Sequence, residues 1–328
     1  MPNLTTSYMG LTLKSPIIAA SSGLTNNIKD IIELEKHGAG AVVLKSLFEE
    51  EIILEMERKV GEMHSENHLY PETMDLYENY DVEDTLSTYL KLISDCKKET
   101  SIPIIASINC ITAHNWPYFA RTLQNTGADA IELNIFILPS DPNPTSLENE
   151  NKYFDIIKAV QKQISIPLSV KISSYFSNLA GMIQKISDTG VSAITLFNRF
   201  YSPDIDIENF EIVPSNVFSC PQEYIMPLRW ISIMSDRVKC DLSASTGVHD
   251  GETLIKMLLA GANTIQVAST LYKNGFAQLN LMNEELNKWM TRKNYETLDE
   301  VCGQFRQSKT TNPAGFLRAQ FMKHFSEK

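Results

Sequence analysis

Apolar residues along this chain follow two alternating rhythms. Stretches with an apolar position every three or four residues, the spacing of a helix with one buried face, lead into a glycine and then into a short unbroken apolar run that ends on a polar side chain. Gly127-Ala128-Asp129-Ala130-Ile131-Glu132-Leu133-Asn134 shows the phrase most fully. It recurs from Gly38 to Lys45, from Gly190 to Asn198 and from Gly261 to Ser269. A glycine that ends a helix, followed by a run of small and apolar residues, reads as a buried parallel strand.

Extended along the chain, the pattern predicts strands over 16–20, 41–44, 102–108, 126–134, 166–170, 193–197, 240–244 and 264–267. Helices are predicted over 28–36, 84–97, 116–124, 151–163, 179–187, 226–234, 251–259 and 278–289. Two stretches break the rhythm: an acidic segment over 48–81 rich in Met and Tyr, and an irregular acidic segment over 200–221. Long excursions from a compact repeat are more often binding loops than linkers. Eight strands, each followed by helix or excursion, predict an α/β fold: a single (β/α)8 TIM barrel spanning residues 1–328, with rim excursions and a helical C-terminal extension from about 291. The alternative is a doubly wound open sheet.

Composition narrows the partners. A formal charge of -11 argues against nucleic acid or an anionic membrane surface, both of which require a basic footprint. No apolar run is long enough to span a bilayer and the start lacks a signal-peptide pattern, so a soluble, cytoplasmic protein is expected. Cys96, Cys110, Cys220, Cys240 and Cys302 form no C-x-x-C pair, and the histidines show no metal-binding spacing, so no bound metal is implied.

In a barrel of this kind only the C-terminal strand ends face a common pocket, which makes residue type there informative. Read in order, those ends are Ser21, Lys45, Asn109, Asn134, Lys171, Asn198, Ser245-Thr246-Gly247 and Ala268-Ser269. The last two groups, each leading into a helix, suit a phosphate held by backbone N–H groups. A rim lysine can stabilise an anionic reduced flavin or form a Schiff base as in an aldolase, and residue chemistry alone leaves those two readings open.

The combination of Ala20-Ser21, Lys45-Ser46, Glu132-Leu133-Asn134, Val170-Lys171, Phe197-Asn198-Arg199-Phe200 and Thr246-Gly247-Val248 with Gly261-Ala262 resembles the class 1 dihydroorotate dehydrogenases and the related dihydropyrimidine dehydrogenase barrel. Leu47-Phe48-Glu49-Glu50, Pro203-Asp204-Ile205-Asp206 and Leu228-Arg229-Trp230 look like the bacterial dihydroorotate dehydrogenase-like proteins. The resemblance covers residues 1 to about 290. It implies an FMN-dependent oxidoreductase that moves a hydride between a small dihydropyrimidine-like substrate and the flavin, and it implies a homodimer. FMN would be bordered by Ala20, Ser21, Lys45, Ser46, Asn109, Asn134, Lys171 and Asn198, with its phosphate on Thr246, Gly247, Ala268 and Ser269. Lys171 would stabilise the reduced flavin, while Lys45, Asn134 and Asn198 would border both flavin and substrate and so carry the catalysis.

Three departures bear on chemistry. The catalytic members carry a Cys or Ser base three residues after the strand-four asparagine, and Ile137 stands there. An isoleucine cannot accept a proton. The family's substrate-closing loop is not recognisable within 61–72, and Thr246 takes the place of one of two paired glycines. If a dihydropyrimidine is oxidised, Ser140, His64, His68 and Tyr70 are the candidate replacement bases. The alternative is a flavin-binding protein or electron-transfer subunit without dihydroorotate dehydrogenase activity, and an aldolase using Lys45 or Lys171 stands behind both.

Overall fold

The computed structural model describes residues 2–52, 85–109, 116–199 and 202–317. Eight parallel strands close on themselves: β3 (Ile17–Ala19), β4 (Ala41–Val43), β6 (Ile104–Asn109), β7 (Ala130–Asn134), β8 (Leu168–Ile172), β9 (Ala193–Leu196), β12 (Asp241–Ser245) and β13 (Thr264–Val267). Closure is decided by β4, which pairs with β3 on one side and β6 on the other, so the sheet is a barrel and not an open doubly wound sheet. A short strand β5 (Leu47–Phe48) extends β6 at the rim.

The helices between the strands are α1 (Ile28–Lys36), α2 (Thr85–Glu99), α3 (Trp116–Thr126), α4 (Ser146–Gln161), α5 (Leu179–Asp188), α6 (Ile225–Met234), α7 (Gly251–Ala260) and α8 (Ser269–Asn274). Beyond the barrel lie α9 (Ala277–Lys293) and α10 (Leu298–Val301). The recurring glycines have the role their position suggests: Gly38, Gly127, Gly190 and Gly261 all have positive φ, the left-handed conformation with which a helix ends before a strand.

Side chains alternate across each strand, so every barrel strand has an outward and an inward set. The outward set packs against the helices in one continuous core that includes Ile131, Leu133, Val170, Ile194 and Leu242, all 0–1% exposed. The inward set is apolar at the bottom, where Ile18, Val43, Ile105, Ala130 and Ala193 pack around Tyr8. Tyr8 comes from an N-terminal hairpin, β1 (Thr6–Tyr8) with β2 (Leu11–Leu13), which was not foreseen from the sequence. Its turn places Met9 and Gly10 at positive φ, and the Met9 N–H donates to Asp241 Oδ2 at 2.8 Å at the start of β12. The hairpin therefore closes the floor.

The excursion expected to be irregular over 200–221 contains a regular antiparallel hairpin, β10 (Ser202–Asp206) with β11 (Glu211–Ser215). Its alternating Pro-Asp-Ile-Asp-Ile pattern is a strand period, and the turn around Asn209 joins the two halves. Among the described residues the hairpin pairs with no other strand, and Ile205, Ile207, Phe210 and Ile212 are 68–91% exposed. Of the 48–81 excursion only residues 48–52 are described, so His64, His68, Tyr70 and the 61–72 stretch lie outside the described residues, as does Cys110.

Candidate active site

Register places the polar strand ends at one height. Asn134 stands opposite Lys171 across β7 and β8, Lys171 opposite Thr195 across β8 and β9, and Ser245 opposite Gln266 across β12 and β13. At this mouth Asn198 Nδ2 donates to Asn134 Oδ1 at 2.5 Å, and Asn134 Nδ2 faces Ser46 Oγ at 3.5 Å. The Ser46 hydroxyl lies 2.8 Å from Ser107 Oγ and 3.1 Å from Ser21 Oγ, while the Ser46 N–H donates to Ser21 Oγ at 2.8 Å. Ser21, Ser46, Asn134 and Asn198 thus form one connected run of neutral donors and acceptors. Ala20, buried beside them, donates its N–H to Val267 O.

The two lysines stand in different surroundings. Lys171 is buried, and its Nζ donates to Gln266 Oε1 at 3.1 Å. Burial pushes its ammonium below the usual lysine range, and the Glu132 carboxylate opposes that shift. Lys45 is half-exposed at the rim, with Nζ 3.7 Å from Glu51 Oε1. Glu51 belongs to an acidic run after β5, in which burial, reinforced by Glu49 and Glu51, raises the Glu50 carboxyl. Asn109 ends β6 and is 8% exposed.

On the far side of the mouth, two of the four residues expected to grip a phosphate, Gly247 and Ser269, meet at Ser219, which the sequence did not single out. Gly247 N–H points at Ser219 Oγ (3.4 Å), and the Ser219 N–H donates to Ser269 Oγ at 3.0 Å. Lys273 Nζ donates to Ser219 O at 2.7 Å, and His249 Nε2 lies 3.0 Å from Ser219 Oγ. Burial, with Lys273 adding to it, lowers the His249 pKa. Gly247 is required here: its φ is +76°, and a Cβ would stand 2.1 Å from Tyr224 N. Thr246 also has positive φ (81°), an uncommon conformation for a β-branched residue and one that clusters at functional sites.

At the N-terminus of α7, two of the N–H groups that the sequence suggested for a phosphate are engaged within the chain. Asp250 caps it through Thr253 N (2.7 Å), and Gly251 N donates to Glu285 Oε2 at 2.6 Å. The helix α8 starts after Ala268 without a side-chain cap.

Ile137 is half-buried and packs against the outer core, between the solvent-exposed Phe136 and Leu138. Ser140, the one replacement base among the described residues, is exposed in a turn where its N–H donates to Leu138 O at 2.8 Å. The sequence reading also missed two buried polar residues inside the strand runs, Glu132 and Gln266, each 1% exposed. A charged or amide residue in an otherwise apolar strand was the available signal. Among the described residues no group of His, Cys, Asp and Glu could hold a metal ion, and no helix is long and apolar enough to cross a membrane.

The closed parallel barrel thus gathers at one mouth a buried lysine, a chain of amides and hydroxyls, and a separate cluster of Gly247, Ser219, Ser269, His249 and Lys273. The family described as dihydroorotate dehydrogenase matches residues 3–290, and the chain belongs to that family of oxidoreductases. The chain is 25% identical over 323 residues to the dihydroorotate dehydrogenase B (NAD(+)) catalytic subunit of Thermoplasma volcanium, covering 92% of this chain and 98% of the relative. It is 25% identical over 313 residues to the putative dihydroorotate dehydrogenase A (fumarate) of Aeropyrum pernix, covering 92% and 97%. The corresponding B-type catalytic subunit of Methanocaldococcus jannaschii is 23% identical over 313 residues, with 92% and 97% covered.

Proposed function

We propose that this chain is an FMN-dependent oxidoreductase that exchanges a hydride with a dihydropyrimidine-like substrate. The observation that carries the reading is the buried Lys171 ammonium held at the strand ends beside the Asn134–Asn198 pair. The donor set fits FMN: a cation and paired amides for the polar edge of the ring, and Gly247, Ser219 and Ser269 gathered near the turn of Thr246 and Ala268 where the phosphate is proposed to sit. When bound, FMN supplies the two-electron acceptor that no side chain can provide.

The protein's own part is to place charge and amides. Lys171 holds positive charge where a reduced ring accumulates negative charge, a preorganised arrangement that needs no rearrangement during reaction. Asn134 and Asn198 fix each other, so each presents a defined amide edge to substrate. Lys45 brings a second cation, partly balanced by Glu51, which weakens its hold on an anionic substrate. Ile137 gives no proton acceptor beside the substrate carbon, and Ser140 is the described residue left for that role.

Ile137 also favours a second reading, a flavoprotein that transfers electrons without dehydrogenating dihydroorotate. The two are separated by the absorption spectrum of the purified protein and by assays with dihydroorotate and fumarate, NAD or a dye. A flavin band with turnover supports the first reading, a flavin band without turnover supports the second, and a protein that stays colourless after reconstitution with FMN overturns both. Trapping by borohydride with a carbonyl substrate would instead favour the aldolase.

The chain is proposed to work in the cytoplasm as a homodimer. The exposed apolar face of β10 and β11, with Ile205 paired to Ile212, supports this because an isolated two-stranded ribbon is only marginally stable in water. Sedimentation of the wild type and of an I205D/I212D double variant checks it: a dimer that becomes a monomer is expected, and a monomeric wild type overturns it.

A further inference from the structure

Beneath the mouth, a polar layer crosses the barrel interior that the flavin reading leaves without a role. Glu132 on β7 accepts at Oε2 from Gln266 Nε2 of β13 (2.6 Å) and from Thr195 Oγ1 of β9 (3.0 Å). Gln266 Nε2 also donates to Thr195 Oγ1 at 3.2 Å. A carboxylate only accepts, so this contact decides which way the Gln266 amide faces: its NH2 towards Glu132, its carbonyl away. That carbonyl oxygen accepts from Lys171 Nζ of β8 at 3.1 Å.

We propose that Gln266, its amide locked by Glu132 and Thr195, is a positioning residue that anchors the Lys171 ammonium at the strand ends while leaving it a whole charge. A buried ammonium needs an acceptor, because burial penalises the charged form. A carboxylate in direct contact would satisfy it but would turn the cation into half of an ion pair, whose field falls off faster than that of a single charge. The neutral amide supplies the hydrogen bond and keeps the counter-charge of Glu132 one residue further away. Glu132 is the charged group that acts on Lys171, while Tyr8 towards the floor is kept neutral by burial, with Glu132 and then Asp241 adding to the effect.

This inference rests on the flavin reading for its purpose but is tested without flavin. The flavin-free, full-length chain carrying lysine labelled with carbon-13 at the ε position is titrated by NMR, and K171M assigns the signal. Q266L is expected to weaken the proton affinity of Lys171 about tenfold, the loss of one hydrogen bond to a charged group. Q266N, which changes no charge but whose shorter amide cannot span from Glu132 to Lys171, is expected to shift it in the same direction. In the FMN-loaded protein, Q266L should disfavour the reduced cofactor about tenfold, a two-electron midpoint about 30 mV more negative. Lys171 titrations of Q266L and Q266N that coincide with the wild type overturn the proposal, and if Q266L does not fold, Q266N alone decides. A wild-type chain that takes up no FMN overturns the flavin reading, while the lysine titration still decides the anchoring.

Discussion

Two sides of the same mouth are built in opposite ways. At the strand ends from β7 to β13, Asn198 is tied to Asn134 and Lys171 to Gln266, two hydrogen-bonded pairs that each bridge different strands or strand ends. Immediately after β7, the loop that continues from Asn134 presents Ile135 buried, Ile137 packed on the outer core, and Phe136 and Leu138 towards solvent. Under the proposed function, the first side faces the cofactor and the second is where a base for the substrate would stand. The difference separates two demands: holding a cofactor depends on residues fixed by the barrel ladder, whereas proton removal depends on one residue of a loop that the ladder does not constrain. Under that proposal the chain keeps the ladder-fixed side, and Ile137 marks the change on the loop side.

The sharpest way to break this comparison is to remove the charge on the retained side. K171M should slow reduction of the bound flavin by about 100- to 1,000-fold, the usual cost of deleting one group that stabilises developing negative charge; stopped-flow absorbance measures it, and a change under threefold would detach Lys171 from the reaction. Restoring the missing group tests the other side. I137C should raise dihydroorotate oxidation with a dye acceptor by about 100-fold, the lower range for a general base, and give it a new pH dependence. An I137C protein no faster than the wild type would show that the loop differs by more than one residue.

Smaller effects probe the corner proposed for the phosphate. G247A must place a Cβ against Tyr224 N at positive φ, so it should weaken FMN binding and lower the melting temperature together, by about 1–3 kcal/mol of strain. S269A removes one hydroxyl and should weaken FMN binding about fivefold, the value of one hydrogen bond, with little change in melting; calorimetry separates the two variants.

The weakest expected signal is pH-dependent. The His249 pKa is lowered in the folded state, so the unfolded chain binds more protons and stability falls as pH drops below 6.5 towards the folded value. Urea unfolding of wild type and H249Q between pH 7 and 5 should show the steeper loss in the wild type.

How much of this was legible before the fold is instructive. The barrel strands were readable because each is a run of small apolar residues released by a glycine, and the strand-end residues followed because the end of such a run is unambiguous. The floor hairpin was not: strands of three residues, Thr6–Tyr8 and Leu11–Leu13, are too short for a period to register. The hairpin β10–β11 was hidden because its apolar face is exposed, which in sequence looks like an acidic loop. The contact between Glu132 and Gln266 joins residues 134 apart, and only closure of the barrel brings them together. Ile137 drew notice in sequence only through the family resemblance, and the role of Ser140 beside it depends on loop conformation, which short-range pattern does not encode.

The closed floor has an electrostatic consequence. Because Tyr8 and its neighbours seal the bottom of the barrel, dissolved ions can approach the Glu132–Gln266–Lys171 column only from the mouth, and a cofactor seated there would shut that route. Screening acts within about 10 Å at 0.1 M salt, but only where ions can enter. Raising the ionic strength should therefore weaken the rim pair of Lys45 and Glu51 while leaving the influence of Lys171 on the flavin nearly constant. The barrel would then give its cofactor a fixed internal field that the surrounding medium cannot dilute.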